Sequence, residues 1–135
     1  INMGVTEGKY IIIKLSGQPK CIDFIHANQG STPQLYDCSP NRKQQFEKKD
    51  IGKNLVSFKL KDTNLCLDSR SITEAGTIPH LWECGNNQNQ HWEIHNGARI
   101  SVPGTNLVID NDWGRLENGN KIHLWYDNDY PNQRW

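Results

Sequence analysis

The 135 residues contain no long apolar run, no excess charge of either sign and few aromatic side chains. The longest unbroken apolar stretch is Tyr10 to Ile13, too short to span a bilayer or to serve as the hydrophobic region of a signal peptide. Lysine and arginine number 15 against 15 aspartates and glutamates, so the formal charge is zero. A neutral chain projects no positive field towards phosphates or anionic lipid, so neither nucleic acid nor direct membrane insertion is expected. Apolar residues make up 35% and aromatics 9%, enough for one lean domain, residues 1–135, in which every Trp, Ile and Leu is needed. The chain starts at Ile1 with its only methionine at Met3, which reads as a mature form or an excised module.

Catalytic signatures are also missing. There is no Gly-x-Ser-x-Gly elbow, no Gly-rich phosphate loop and no His-Glu-x-x-His pair, and no enzyme activity or cofactor is expected. The four cysteines, Cys21, Cys38, Cys66 and Cys84, include no Cys-x-x-Cys, and none stands close to a histidine at zinc-ligand spacing. His91 and His95 on one strand would stand roughly 13 Å apart, too far to share an ion; both read as surface residues. The acidic set Asp110, Asp112, Asp127 and Asp129 lacks the Gly-centred twelve-residue calcium loop and reads as solvated. Four cysteines permit three pairings. The near-equal loops they enclose favour Cys21–Cys38 and Cys66–Cys84, which implies an oxidising compartment and a secreted or extracellular protein.

What the chain does have is an internal repeat. Cys-Ile-Asp at 21–23, Gln-Leu-Tyr-Asp-Cys at 34–38 and Gln-Gln-Phe at 44–46 are answered by Cys-Leu-Asp at 66–68, His-Leu-Trp-Glu-Cys at 80–84 and Gln-His-Trp at 90–92. They are answered again by Val-Ile-Asp at 108–110, His-Leu-Trp-Tyr-Asp at 123–127 and Gln-Arg-Trp at 133–135. The period is about 45 residues, giving units of roughly 8–52, 53–97 and 98–135. Within them, short alternating runs such as Lys9–Leu15, Asn54–Leu60 and Ala98–Val102 lie between turn residues such as Gly17, Gly52 and Pro103-Gly104, so they read as strands. No 3.6-residue apolar period persists, and helix is limited to single turns. Four short strands per unit, three times over, fit an all-β, closed β-trefoil, since no unit could bury its apolar face alone. Alternation along the central motif sets each Leu inward and its aromatic neighbour outward.

The ordered triplet of Cys-hydrophobic-Asp, x-Leu-aromatic and Gln-x-aromatic resembles the ricin-type (R-type, Gln-x-Trp) lectin family over the whole chain. The resemblance implies a β-trefoil that binds glycans or glycoproteins carrying galactose or N-acetylgalactosamine, in a shallow site per repeat. It implies that Asp23, Asp68 and Asp110 accept hydrogen bonds from sugar hydroxyls, a task suited to an acceptor-only carboxylate. Tyr36, Trp82 and Trp125 would stack on the C–H face of the sugar, while Gln34, His80 and His123 add polar contacts. Asn89 and Asn132 would also touch the sugar, with Gln44, Gln90 and Gln133 bracing the aspartates. Repeat one departs from the pattern, with Lys43 in place of the asparagine, so its site is expected to be weaker or altered. Phe46, Trp92 and Trp135 are assigned to the core. Repeat three replaces the cysteine pair by Val108 and Asp127, which leaves a loop without a staple and an expectation of looseness there. Trp113 has two readings, a second stacking ring for site three or an anchor packed over the barrel rim. The chain ends at Trp135, where the other repeats run on through Glu47-Lys48 and Glu93-Ile94, so a short closing strand is expected. A homo-oligomer is compatible with this reading. So are two other functions: the sugar-targeting module of a larger toxin or glycosidase, and a trefoil that binds protein.

Overall fold

Short runs of β-branched and aromatic residues between glycine and asparagine turns form twelve strands in the computed structural model, which describes residues 5–6 and 9–135. Ile1, Met3 and the residue 8 boundary of the first repeat lie outside the described residues. The strands are β1 (Val5–Thr6), β2 (Tyr10–Ile11), β3 (Lys20–Phe24), β4 (Pro33–Asp37), β5 (Phe46–Asp50) and β6 (Leu55–Leu60). They continue with β7 (Leu65–Asp68), β8 (His80–Glu83), β9 (Trp92–His95), β10 (Arg99–Ser101), β11 (Leu107–Asn111) and β12 (Asn120–Tyr126). Among the described residues helix is confined to four 3₁₀ turns of three residues, and no helix is long and apolar enough to cross a membrane. Of the predicted strands, Asn54–Leu60 is recovered almost whole. Lys9–Leu15 contracts to β2 and an isolated bridge between Lys14 and Cys21, because the chain leaves β5 to meet the next hairpin.

The repeat is visible in the register. Strands β2, β5, β6, β9 and β10 pair in antiparallel order, and each repeat adds a hairpin: β3–β4, β7–β8 or β11–β12. In the three hairpins Ile22 faces Leu35, Leu67 faces Leu81, and Ile109 faces Leu124. All six are buried. The β-trefoil expectation is therefore met in symmetry, although the twelve strands fall as β1 ahead of repeat one, four each in repeats one and two, and three in repeat three, where no closing strand follows the last 3₁₀ turn. Phe46, Trp92 and Trp135 sit at equivalent places in the core, each no more than 1% exposed. Both indoles keep a hydrogen-bond partner, as a buried N–H requires: Trp92 Nε1 donates to the Leu67 carbonyl at 3.0 Å and Trp135 Nε1 to that of Ile109 at 3.1 Å.

Neighbouring repeats are knitted by three identical bonds. Gly30 N–H donates to the Leu81 carbonyl, Gly76 to Leu124 and Gly119 to Leu35, each at 2.7 Å. All three glycines have φ near +90°, a backbone conformation that a side chain makes costly. One loop per repeat thus closes over the next repeat's central motif, and the third closes on the first.

Both expected disulfides are present, Cys21–Cys38 and Cys66–Cys84. Repeat three manages without one. Asp127 N–H bonds the Asn106 carbonyl at 2.9 Å, matching the Cys84 to Asn64 bond at 2.9 Å, and the Asp127 carboxylate pairs with Arg99 at 2.9 Å. The loop expected to be looser therefore keeps the same backbone bond and adds an ion pair. For the stapled repeat, the chain-entropy model gives about 3 kcal/mol for a loop of this length. The double variant Cys66→Ala/Cys84→Ala should lose about that much stability in urea unfolding; an unchanged midpoint would show that the staple constrains little.

Candidate functional site

Hairpin register sets an aspartate opposite a polar residue in each repeat: Asp23 opposite Gln34, Asp68 opposite His80, Asp110 opposite His123. Two residues along the same outer face stand Tyr36, Trp82 and Trp125, exposed by 40, 41 and 40% while the leucine between is fully buried. Alternation placed them correctly. The aspartates form the floor, with exposures of only 5, 1 and 3%.

Each floor carboxylate is held by the glutamine of the following 3₁₀ turn. Gln44, Gln90 and Gln133 Nε2 donate to Asp23, Asp68 and Asp110 at 2.7, 3.1 and 2.8 Å. The same amides donate to the carbonyls of Asp37, Glu83 and Tyr126 at 2.8, 2.9 and 2.8 Å. Their Oε1 atoms accept the backbone N–H of Ser39, Gly85 and Asn128. All three glutamines are at most 1% exposed, so each braces its aspartate from below and presents almost none of its own surface to solvent.

Above this base the repeats diverge. In repeat two, Asp68 Oδ1 accepts from Arg70 N–H at 2.7 Å and His80 Nε2 at 3.1 Å, while Oδ2 accepts from Asn89 Nδ2 at 2.8 Å and from Gln90. A carboxylate has about four lone-pair positions, so a hydroxyl reaches Asp68 only in exchange for one of these donors. In repeat three, Asp110 accepts from His123 at 2.9 Å, Asn132 at 3.2 Å and Gln133, which leaves one position open. In repeat one, among the described residues, Asp23 accepts only from Gln34, at 3.2 Å, and Gln44. Lys43 does not stand in for the asparagine: its ammonium donates to the Ile25 carbonyl at 2.8 Å.

The histidines are fixed from two sides. Because a carboxylate accepts, Nε2 of His80 and of His123 is the donor in these contacts, and in the neutral imidazole Nδ1 is then an acceptor. His80 stacks on Trp82 with centroids 5.0 Å apart and planes 18° apart, and His123 on Trp125 at 5.3 Å and 13°. Burial holds the His80 imidazole below the ordinary histidine value, against the raising influence of the Asp68 charge.

Trp113 lies in the 3₁₀ turn Asp112–Gly114 with φ +57° and 81% exposure. That exposure rules out the rim anchor, and the turn is tied to site three by Asn132 Nδ2 on the Asn111 carbonyl at 3.1 Å. The acidic set splits into two pairs: Asp110 and Asp112 stand 2.9 and 3.5 Å from His123 Nε2, with Asp112 also 3.8 Å from Lys121, while Asp127 and Asp129 pair with Arg99. These carboxylates are ion-paired where solvated ones were expected, and among the described residues no group of three or more ligating side chains could hold a metal. Arg134, ahead of Arg99, holds the Asp129 carboxyl below the usual range. His91 and His95 keep a surface position, the His95 side chain being 41% exposed, although they do not share a strand. His91 lies just before β9, and both are half-buried, with His95 Nε2 2.9 Å from Ser101 Oγ and from Glu93. Sequence reasoning missed Arg70 and Asn118. Asn118 comes from repeat three yet bonds Asp37 in site one at 2.9 Å, and with Lys20 it lowers that carboxyl. Nothing local marks Asn118, because loop closure between repeats brings it there, whereas Arg70 acts through its backbone N–H two residues after Asp68, which its side chain does not signal.

A threefold β-trefoil with an aspartate floor, an outward aromatic and an asparagine at the rim is the architecture of a carbohydrate-binding lectin domain. The model of the ricin-type beta-trefoil lectin domain matches residues 9–135, and the chain belongs to that family. The designed threefold-symmetric protein ThreeFoil is similar, with TM-score 0.82, 19% identity and coverage of 94% of this chain and 96% of its own. A Macrolepiota procera ricin B-like lectin solved with lactose has TM-score 0.78 and 21% identity over 98% of this chain and 96% of its own. A mosquitocidal holotoxin has TM-score 0.82 and 18% identity over 97% of this chain, which matches 17% of the toxin. Among curated proteins none matches the sequence.

The lowered His80 value has a stability consequence. Between its folded value and the ordinary value near 6.5, the unfolded chain binds more proton than the folded one, so stability falls as pH drops through that window. Histidine-resolved NMR should show His80 titrating below the ordinary value. His80→Gln should flatten the acid side of the stability profile, and an unchanged slope would contradict the assignment.

Proposed function

We propose that the chain is a secreted lectin whose sites in repeats two and three bind galactose or N-acetylgalactosamine units of glycans and glycoproteins, with a weaker site in repeat one. The observation that carries this reading is the convergence, twice, of aspartate, histidine, exposed tryptophan and asparagine on one shallow face. In this reading the tryptophan covers the C–H face of a pyranose, asparagine and the histidine Nδ1 meet its hydroxyls, and the aspartate accepts a hydroxyl by exchange with a protein donor. The galactose preference is supported by the lactose named with the Macrolepiota procera lectin. A site this shallow should bind at about 1 mM to 10 μM, roughly −4 to −7 kcal/mol. Avidity then comes from two sites on one rigid body, or from oligomers. Secretion is supported by the two disulfides, and the domain is read as non-catalytic.

A second reading makes the domain the sugar-targeting part of a larger protein; the holotoxin, of which this chain would span 17%, favours it. Both readings share the test. Titration with lactose should saturate the wild-type chain, and Trp82→Ala/Trp125→Ala should leave only the weaker binding of repeat one while the indole signals of Trp92 and Trp135 keep their folded positions. Undiminished affinity in the double variant would overturn the site assignment. Absence of binding to any glycan by the folded wild type would turn the search to a protein partner.

A further inference from the structure

The junction between repeats two and three is open where the other two junctions are closed. At the first junction Lys61 N–H donates to the Gln45 carbonyl at 2.9 Å, and where repeat three meets repeat one Ser16 N–H donates to Arg134 at 2.9 Å. The equivalent position is Pro103, which has no N–H to give to His91. The ladder shortens accordingly: β5–β6 runs to Phe46 opposite Leu60, whereas β9–β10 stops at Ser101 opposite Glu93, one pair short of Trp92.

The gap is a groove of about 710 Å³, within the roughly 300–1,000 Å³ of small-ligand sites. One wall is Ser69, Thr73, Asn86 and His91, the other is Val102 and Pro103, and no charged side chain lines it. Neutral hydroxyls and amides facing an apolar wall suit an uncharged polyhydroxylated chain, and they offer no counterion to a phosphate, sialic acid or cation. The groove joins site two through Asn89, which lines it while its Nδ2 holds Asp68. Asn89 Oδ1 accepts no hydrogen bond among the described residues. The counterpart in repeat three is a 300 Å³ depression walled by Leu15, Leu116 and Tyr130. In repeat one the corresponding rim is taken by Lys43 on Ile25.

We infer that the groove extends site two and receives the next sugars of a neutral oligosaccharide, so that repeat two binds a chain and repeat three a terminal unit. The inference rests on the reading of repeat two as a sugar site, and the test separates the two. Amide-resolved NMR titrations of the full chain would use methyl β-galactoside, lactose and the neutral tetrasaccharide lacto-N-neotetraose. The galactoside should shift the Asn89 side-chain amide. The tetrasaccharide should also shift Asn86, Thr73 and His91, and bind site two at least about tenfold more tightly. Asn87→Trp, at the groove rim and without a side-chain capping bond of its own, should return the tetrasaccharide to the galactoside's affinity. Thr73→Trp serves as the second blocking variant should Asn87→Trp disturb the Trp92 indole signal. Equal affinity for galactoside and tetrasaccharide, or a blocking variant that folds and changes nothing, overturns the groove. A galactoside that leaves Asn89 unmoved overturns the sugar site itself.

Discussion

One buried amide per repeat ties the core to the binding face. Gln44, Gln90 and Gln133 each give one hydrogen bond to a floor carboxylate and one to a carbonyl of the preceding hairpin, and each accepts a backbone N–H from the link between that hairpin and the 3₁₀ turn. Two residues further on, Phe46, Trp92 or Trp135 enters the core. The tripeptide therefore sets the height of the aspartate relative to the packed centre. Its amide cannot be removed without leaving a carboxylate, a carbonyl and an N–H short of partners in low dielectric. That explains why the same geometry recurs in three repeats whose sites otherwise differ.

Divergence is confined to the layer above. Repeat two surrounds its aspartate with four donors, one of them a histidine, repeat three leaves one acceptor position open among the described residues, and repeat one has a glutamine and a lysine turned to the backbone. A saturated carboxylate is a rigid orienting group but must trade a donor for a hydroxyl, whereas the emptier one is available and poorly organised. Repeat three also forms the same hairpin without a disulfide, keeping the backbone bond that repeat two has beside its staple and adding the Arg99–Asp127 ion pair.

Much of this could be read from the chain alone where the cause is local. The period, the inward leucine with its outward aromatic, the two cysteine pairs and the core aromatics all follow from spacing and alternation, which act within a hairpin. What escaped reading depends on contacts between repeats. The Asn118 contribution to site one, the glycine loops that close over the next motif and the gap opened by Pro103 have no signature within their own segments. Lys43 was recognisable as a departure, but its carbonyl partner was not. The depth of the aspartates also went unseen, because a Cys-Leu-Asp strand end reads the same whether its carboxylate faces water or a glutamine.

The most direct measurement is a crystal structure of the chain with lactose. The account predicts a galactose ring stacked on Trp82 and on Trp125, its hydroxyls on Asn89 and Asn132, and lower occupancy beside Tyr36. Lactose bound away from both tryptophans, or absent from both while they remain open to solvent, would contradict it.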